Sequence, residues 1–210
     1  MTRHDSASTG SPGTPPSSGR GSGISGKPLR HPIEFREELL PRVADFDCGD
    51  EPWEQEVANW IKGPRGSGSA LDDMANNGTK VWLYETEADE LVGFGSLGVT
   101  HWRWDNPKKG QWTPIYIIPF FGVRKTFWEQ PPGPKSERYS RRIFEDLLYK
   151  AINDPAQYRL LGLMVHQQSG RAIKFYREKF GFADYGTSKE YLRMILDLRG
   201  SQSPFPPPSS

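Results

Sequence analysis

Two runs decide the reading of this chain: Thr113-Pro114-Ile115-Tyr116-Ile117-Ile118-Pro119-Phe120-Phe121-Gly122-Val123, and Glu137-Arg138-Tyr139-Ser140-Arg141-Arg142-Ile143-Phe144-Glu145-Asp146-Leu147-Leu148-Tyr149-Lys150-Ala151-Ile152. Pro114 to Val123 leaves almost no polar position, the pattern of a strand buried on both faces. In the second run Ile143, Phe144, Leu147, Leu148, Ala151 and Ile152 recur at helical spacing and make one apolar face. Lys135, Arg138, Arg141 and Arg142 gather where that helix starts. Cations there are unfavourable against the helix dipole unless an anion joins them, and free backbone N–H groups at a helix start hold anions well. A buried strand feeding a basic helix start reads as a candidate phosphate site.

Upstream, Ile33–Leu39 alternates imperfectly as a first edge strand and breaks at Pro41. Asp50 is placed to cap a helix carrying Trp53, Val57, Trp60 and Ile61 on one side, stopped by Gly63-Pro64. Ala70–Asn77 reads as a second short helix. Thr79–Thr86 and Leu91–Val99 read as an antiparallel hairpin around the charged turn Glu87–Glu90, with Val81 and Leu83 on the face opposite Trp82 and Tyr84. Glycines 93, 95 and 98 in its second strand would admit close approach of another backbone, and Trp102 and Trp104 would extend it. Downstream come a strand at Leu160–His166, a helix at Ser169–Lys179 closed by Gly181, and a last strand at Glu190–Leu198. The order β-α-α-β-β-β-α-β-α-β gives an α/β class: a mixed sheet with helices on both faces.

Composition narrows the function. Residues 1–30 and 200–210 are mostly Ser, Gly, Pro and Thr and read as disordered tails, leaving a folded unit at 31–199 that holds all seven Trp. A formal net charge of +1 argues against a general nucleic-acid binder. With Cys48 as the only cysteine, no intrachain disulfide and no cysteine-based zinc site can form, and no metal is expected. No apolar run approaches a membrane span and no secretory h-region opens the chain, so a cytoplasmic address without membrane attachment is the default.

The stretch Ser169-Gly170-Arg171-Ala172-Ile173-Lys174-Phe175-Tyr176-Arg177-Glu178-Lys179-Phe180-Gly181-Phe182 resembles the N-x-x-A-x-x-F-Y-x-x-x-G-F signature of the GNAT acyltransferases. Ile117–Val123 is similar to that family's central strand, and the element order matches over residues 33–198. The resemblance implies a GNAT-like fold in which acetyl-CoA lies in a V between two splayed strands. Its pantetheine arm would pair with the backbone of Phe121, Gly122 and Val123, and its pyrophosphate would rest on the start of the following helix. In the family's Q/R-x-x-G-x-G/A loop, Lys135, Arg138 and Ser140 stand at the three defined positions, so both glycines are replaced. Tyr139, Arg141 and Ser169 complete the expected cofactor contacts.

Tyr176 matches the family tyrosine that protonates the departing thiolate. A tyrosine, with an ordinary pKa near 10, keeps its proton at neutral pH. For the general base, Glu85, His101, Asp105 and His166 each lie near a strand end. His166 is best placed because it ends the strand expected to splay, and a water chain is an alternative. The expected activity is acetyl transfer from acetyl-CoA to a primary amine of a small molecule or protein. Two other readings stay open. One is an acyl-CoA sensor without catalysis, motivated by the missing glycines. The other is a toxin-like aminoacyl-tRNA acetyltransferase, because Phe46–Trp60 loosely resembles the entry segment of such toxins. A homodimer also stays open.

Overall fold

The computed structural model describes residues 28–103, 111–128 and 138–199. Trp104, Asp105, Lys135, Glu137 and most of both expected tails lie outside them. The chain starts with β1 (Ile33–Glu34), α1 (Leu40–Val43), α2 (Pro52–Lys62) and α3 (Ala70–Asn77). The hairpin β2 (Lys80–Glu85) and β3 (Leu91–Arg103) follows, then β4 (Trp112–Ile118) and β5 (Phe121–Val123). Alternating elements complete the fold: α4 (Tyr139–Ile152), β6 (Leu160–His166), α5 (Gly170–Phe180), β7 (Ala183–Ser188) and β8 (Tyr191–Asp197).

The strands form one mixed sheet in the order β1-β2-β3-β4-β6-β8-β7, with β5 paired to β3 off this path. Period-two alternation sorts side chains between two layers. Val81, Leu83 and Phe94 pack under α2 and α3 with Ala58, Trp60, Ile61 and Leu71. Tyr116, Leu161, Leu163 and Met194 pack under α4 and α5 with Phe144, Leu147, Leu148, Tyr176 and Phe180. Gly95 serves the second layer directly: a Cβ there would meet Leu147 Cδ1 at 2.7 Å, so the glycine lets α4 settle onto β3. Tyr84 anchors the same helix by donating its hydroxyl to Asp146 at 2.6 Å.

Several expectations are corrected. The apolar run 114–123 is not one strand. Pro119 has no N–H for a ladder, and at Phe120 a side chain takes over part of the pairing: Phe120 N–H donates to Ser96 Oγ (2.9 Å), while the Phe120 carbonyl accepts from both the Ser96 hydroxyl (2.6 Å) and the Ser96 backbone N–H (3.1 Å). The first edge strand is only Ile33–Glu34, and Pro41 lies in the first turn of α1, where its missing N–H costs nothing. Glu51, not Asp50, caps α2, in a reciprocal box with Glu54; Asp50 instead pairs with Lys125. β7 was missed because it is a largely exposed edge strand, Ala183-Asp184-Tyr185-Gly186-Thr187-Ser188, with no apolar alternation.

The break at Pro119-Phe120 shapes the site. β4 and β6 pair in parallel from Tyr116–Leu161 to Ile118–Leu163. Beyond the break, β5 follows β3 (Gly93↔Val123, Gly95↔Phe121) while β6 follows β8 to His166↔Tyr191. The two chains diverge, leaving a wedge between Phe121–Val123 and the end of β6.

Candidate active site

The diverging strands open into a cleft of about 1560 Å³, which runs from the starts of α4 and α5 to the flanks of α2 and α3. One wall is cationic. Arg138 takes an extended conformation (φ −63°, ψ 142°) as the N-cap of α4, with no side-chain cap and no acidic residue in the first turn. Ser169 heads α5 in the same way, without a side-chain cap or a first-turn acid. Arg138, Ser140, Arg141, Ser169, Arg171 and Lys174 line the cleft between these starts. Arg141 is shared with Glu145 at 2.7 Å, and the Arg171 guanidinium lies 4.7 Å over the Trp128 ring. Two uncapped helix starts with arginines are suited to a diphosphate.

The wedge carries Phe121, Gly122 and Val123. The Val123 carbonyl already accepts a hydrogen bond from Trp128 Nε1 at 2.9 Å, so a ligand amide pairing there shares the oxygen with the indole or displaces it. Tyr176, 9% exposed, reaches the cleft from α5, with Phe144 and Phe182 rings at 5.2 and 5.9 Å. Burial pushes its pKa well above the ordinary tyrosine value, so it enters any reaction as a neutral proton donor.

The opposite wall is aromatic and acidic. His166 stacks on Trp53 of α2 (4.5 Å between centroids, 12° between planes) and meets the edge of Tyr191 at 5.6 Å. Its Nδ1 accepts the Gln168 N–H at 3.3 Å, which leaves the proton of the neutral ring on Nε2, facing Glu190 at 3.7 Å. Tyr191 donates its hydroxyl to Glu56. That bond, then burial, holds the Tyr191 phenol up at about 12. Cys48 also borders the cleft, but burial, with Glu54 and Asp47 adding repulsion, raises its thiol to about 12 and leaves it inert at neutral pH.

Of the other base candidates, Glu85 is 1% exposed beside Arg42 (3.1 Å), and His101 is exposed on β3; neither lines the cleft. Asp105 lies outside the described residues. Tyr139 is 1% exposed and packs edge-to-face on Phe127 at 5.4 Å, so only its backbone is left to serve a ligand. Sequence reasoning missed Trp53, Glu56, Trp128, Arg171, Lys174 and Tyr191. Arg171 and Lys174 had a usable signal, a basic first turn like the one at Arg138. Trp53 and Glu56 had none, since facing β6 is a matter of tertiary placement.

Solved structures resemble this arrangement. The toxin–antitoxin complex AtaTR bound with acetyl-CoA superposes with a TM-score of 0.56 at 10% identity, over 82% of this chain and 95% of that one. AtaT complexed with acetyl-methionyl-tRNAfMet gives 0.54 at 11% identity, over 82% and 96%. An acetyltransferase of the GNAT family from Staphylococcus aureus gives 0.52 at 15% identity, over 81% and 99%. The chain has the GNAT fold. No family model matches the sequence, and no curated protein matches it. Around the V of this GNAT fold stand Tyr176, His166, Phe121, Gly122, Val123, Arg138, Ser140, Arg141 and Ser169. Among the described residues, no three His, Cys, Asp or Glu side chains converge as metal ligands, and no helix is long and apolar enough to cross a membrane.

Proposed function

We propose that this protein is an N-acetyltransferase that moves the acetyl group of acetyl-CoA onto a primary amine. The observation that carries the reading is the wedge between β5 and β6, with a cationic wall at one end and the neutral acid Tyr176 facing in. In this reading the diphosphate rests on the starts of α4 and α5, held by Arg138, Ser140, Arg141 and Ser169. Lys135, outside the described residues, would join them. The pantetheine arm follows the backbone of Phe121, Gly122 and Val123, and the thioester comes to Tyr176.

The amine nitrogen attacks the thioester carbonyl, forming the C–N bond, and collapse of the adduct breaks the C–S bond. The departing thiolate takes the proton of Tyr176 Oη. His166 accepts the proton lost by the amine on Nδ1, giving up its long bond to Gln168, and Glu190 offsets the new charge. That proton then returns through solvent. AtaT binds an acetylated aminoacyl-tRNA, but here the acceptor wall carries Glu54, Glu56 and Asp73, which would repel phosphates.

The test is CoA thiol release with an amine panel, alongside melting temperature with and without acetyl-CoA. Tyr176→Phe should lower kcat by about 100-fold or more while leaving the KM for acetyl-CoA within about threefold, the size of a lost general acid. Absence of a thermal shift at millimolar acetyl-CoA would refute the reading. Binding without transfer to any amine would leave a CoA sensor instead.

A further inference from the structure

The acceptor end of the cleft has a composition that an amine alone does not explain. Its floor is sheet surface where Ile115, Leu160 and Ile195 pack with Trp102 and Tyr185, with no helix residue in that cluster among the described residues. Gly162 lies under Trp102: a Cβ there would meet the benzo edge of the indole at 2.9 Å, so the glycine lets the ring come close to β6. Tyr185 stacks on that indole at 5.6 Å, which holds it in place. Beside it, Ile117 and Met164 face the same cleft, and Met164 is 49% exposed, an unusual placement for a large apolar side chain within a folded sheet. Above this floor, Trp53 is half-buried on His166, and Glu56 is fixed by the Tyr191 hydroxyl. A carboxylate accepting one bond keeps further lone pairs open. Arg138, Arg141, Arg171 and Lys174 of the cleft lie instead toward the starts of α4 and α5, Lys179 closes α5, and Arg193 sits 5.8 Å from the Trp102 ring centroid.

We infer that the acceptor is a primary amine on an apolar, preferably aromatic, body: its ammonium pairs with Glu56 and releases one proton to solvent before the neutral amine attacks, and its body lies on Trp102, Ile117 and Met164. The inference rests on the acetyltransferase reading for its chemistry, though not for the binding step. Charge complementarity selects the ammonium end, since Glu56 stands at Tyr191 and Glu190 at His166, while the Arg193 guanidinium is held over the Trp102 ring at 5.8 Å. The half-buried indole and the exposed thioether select the other end, because water covering them is released by an apolar body and not by a hydroxylated or charged one.

Two measurements on the full chain separate this inference from the reading it builds on. The first is amine binding without acyl donor, followed by tryptophan fluorescence with 2-phenylethylamine, spermidine and ethanolamine as probes. The aryl amine should bind at least about tenfold more tightly than either of the others, from burial of one ring. The second is kcat/KM for the same three amines with acetyl-CoA, where the same order should hold. Glu56→Gln should raise the KM for 2-phenylethylamine about tenfold with little change in kcat or in the KM for acetyl-CoA. Met164→Lys, on an exposed position that leaves packing intact, should abolish the aryl preference by replacing the thioether with a second cation across from Arg193. Equal binding of the three amines, or wild-type selectivity in both variants, would overturn the inference while leaving acetyl transfer standing. Aryl-amine binding in a protein that neither binds nor uses acetyl-CoA would sustain the site and overturn the reaction.

Discussion

Tyr176, Tyr116 and Cys48 show how burial sets chemistry side chain by side chain. Tyr116, 2% exposed, is raised to about 12, first by burial and then by its hydrogen bond to Asp154. An unfolded tyrosine ionises near pH 10, so between about pH 10 and 12 the unfolded chain loses a proton that the folded chain keeps. Stability is therefore intact below about pH 10 and falls above it, by about 1.4 kcal/mol per pH unit for each such tyrosine. Urea unfolding at pH 8, 10 and 11 should show that fall, and Tyr116→Phe should make it shallower. Cys48, held at about 12 with its thiol donating to the Glu54 carbonyl at 2.9 Å, should resist a disulfide reagent at pH 8 until urea unfolds the chain. Rapid labelling of the native protein would contradict that placement.

The β4–β5 break is the element on which the site depends. Ser96 replaces ladder partners for Phe120, so Ser96→Ala strands the Phe120 N–H and should cost about 1–3 kcal/mol. Loss of acetyl-CoA affinity alongside that change would tie the break to the wedge. Where α4 meets β3, Gly95→Ala puts a Cβ 2.7 Å from Leu147, and overpacking of this kind costs about 1–3 kcal/mol, readable as a lower urea midpoint. Trp128 occupies the Val123 carbonyl that a pantetheine amide would take. Trp128→Phe removes that competitor, and affinity for acetyl-CoA should rise about two- to tenfold, the worth of one hydrogen bond. An unchanged Kd by calorimetry would show that the ligand uses other backbone groups.

Across the whole molecule, the +1 net charge conceals a separation within one cleft. Arg138, Arg141, Arg171 and Lys174 stand toward the starts of α4 and α5, and Glu54, Glu56 and Asp73 stand on α2 and α3, with Glu178 and Lys179 side by side at the end of α5. Acetyl-CoA at a hundred times its Kd should stabilise the fold by about 2.7 kcal/mol, or roughly 5–10 °C in Tm. Because the cationic wall is open to solvent, the shift should shrink as salt rises from 50 to 500 mM. A salt-insensitive shift would place the binding contacts in the apolar wedge instead.

Much of this was legible along the chain. The alternation at Val81–Tyr84, the helical spacing at Ile143–Ala151 and the Phe175-Tyr176 pattern are local, because strand and helix periods repeat within a few residues. They determined the element types, both layers and the place of Tyr176. The split of 114–123 was hidden because an apolar run looks alike whether its backbone pairs with one neighbour or changes to another. Tyr139 and Ser140 are likewise adjacent and both helical, yet one ring enters the core and the other side chain borders the cleft. Trp102 over Gly162, Trp53 on His166 and Glu56 under Tyr191 join residues 60 (162 − 102), 113 (166 − 53) and 135 positions apart. Such contacts exist only once the sheet has paired, because the pairing register, not the local pattern, decides which side chains share a face.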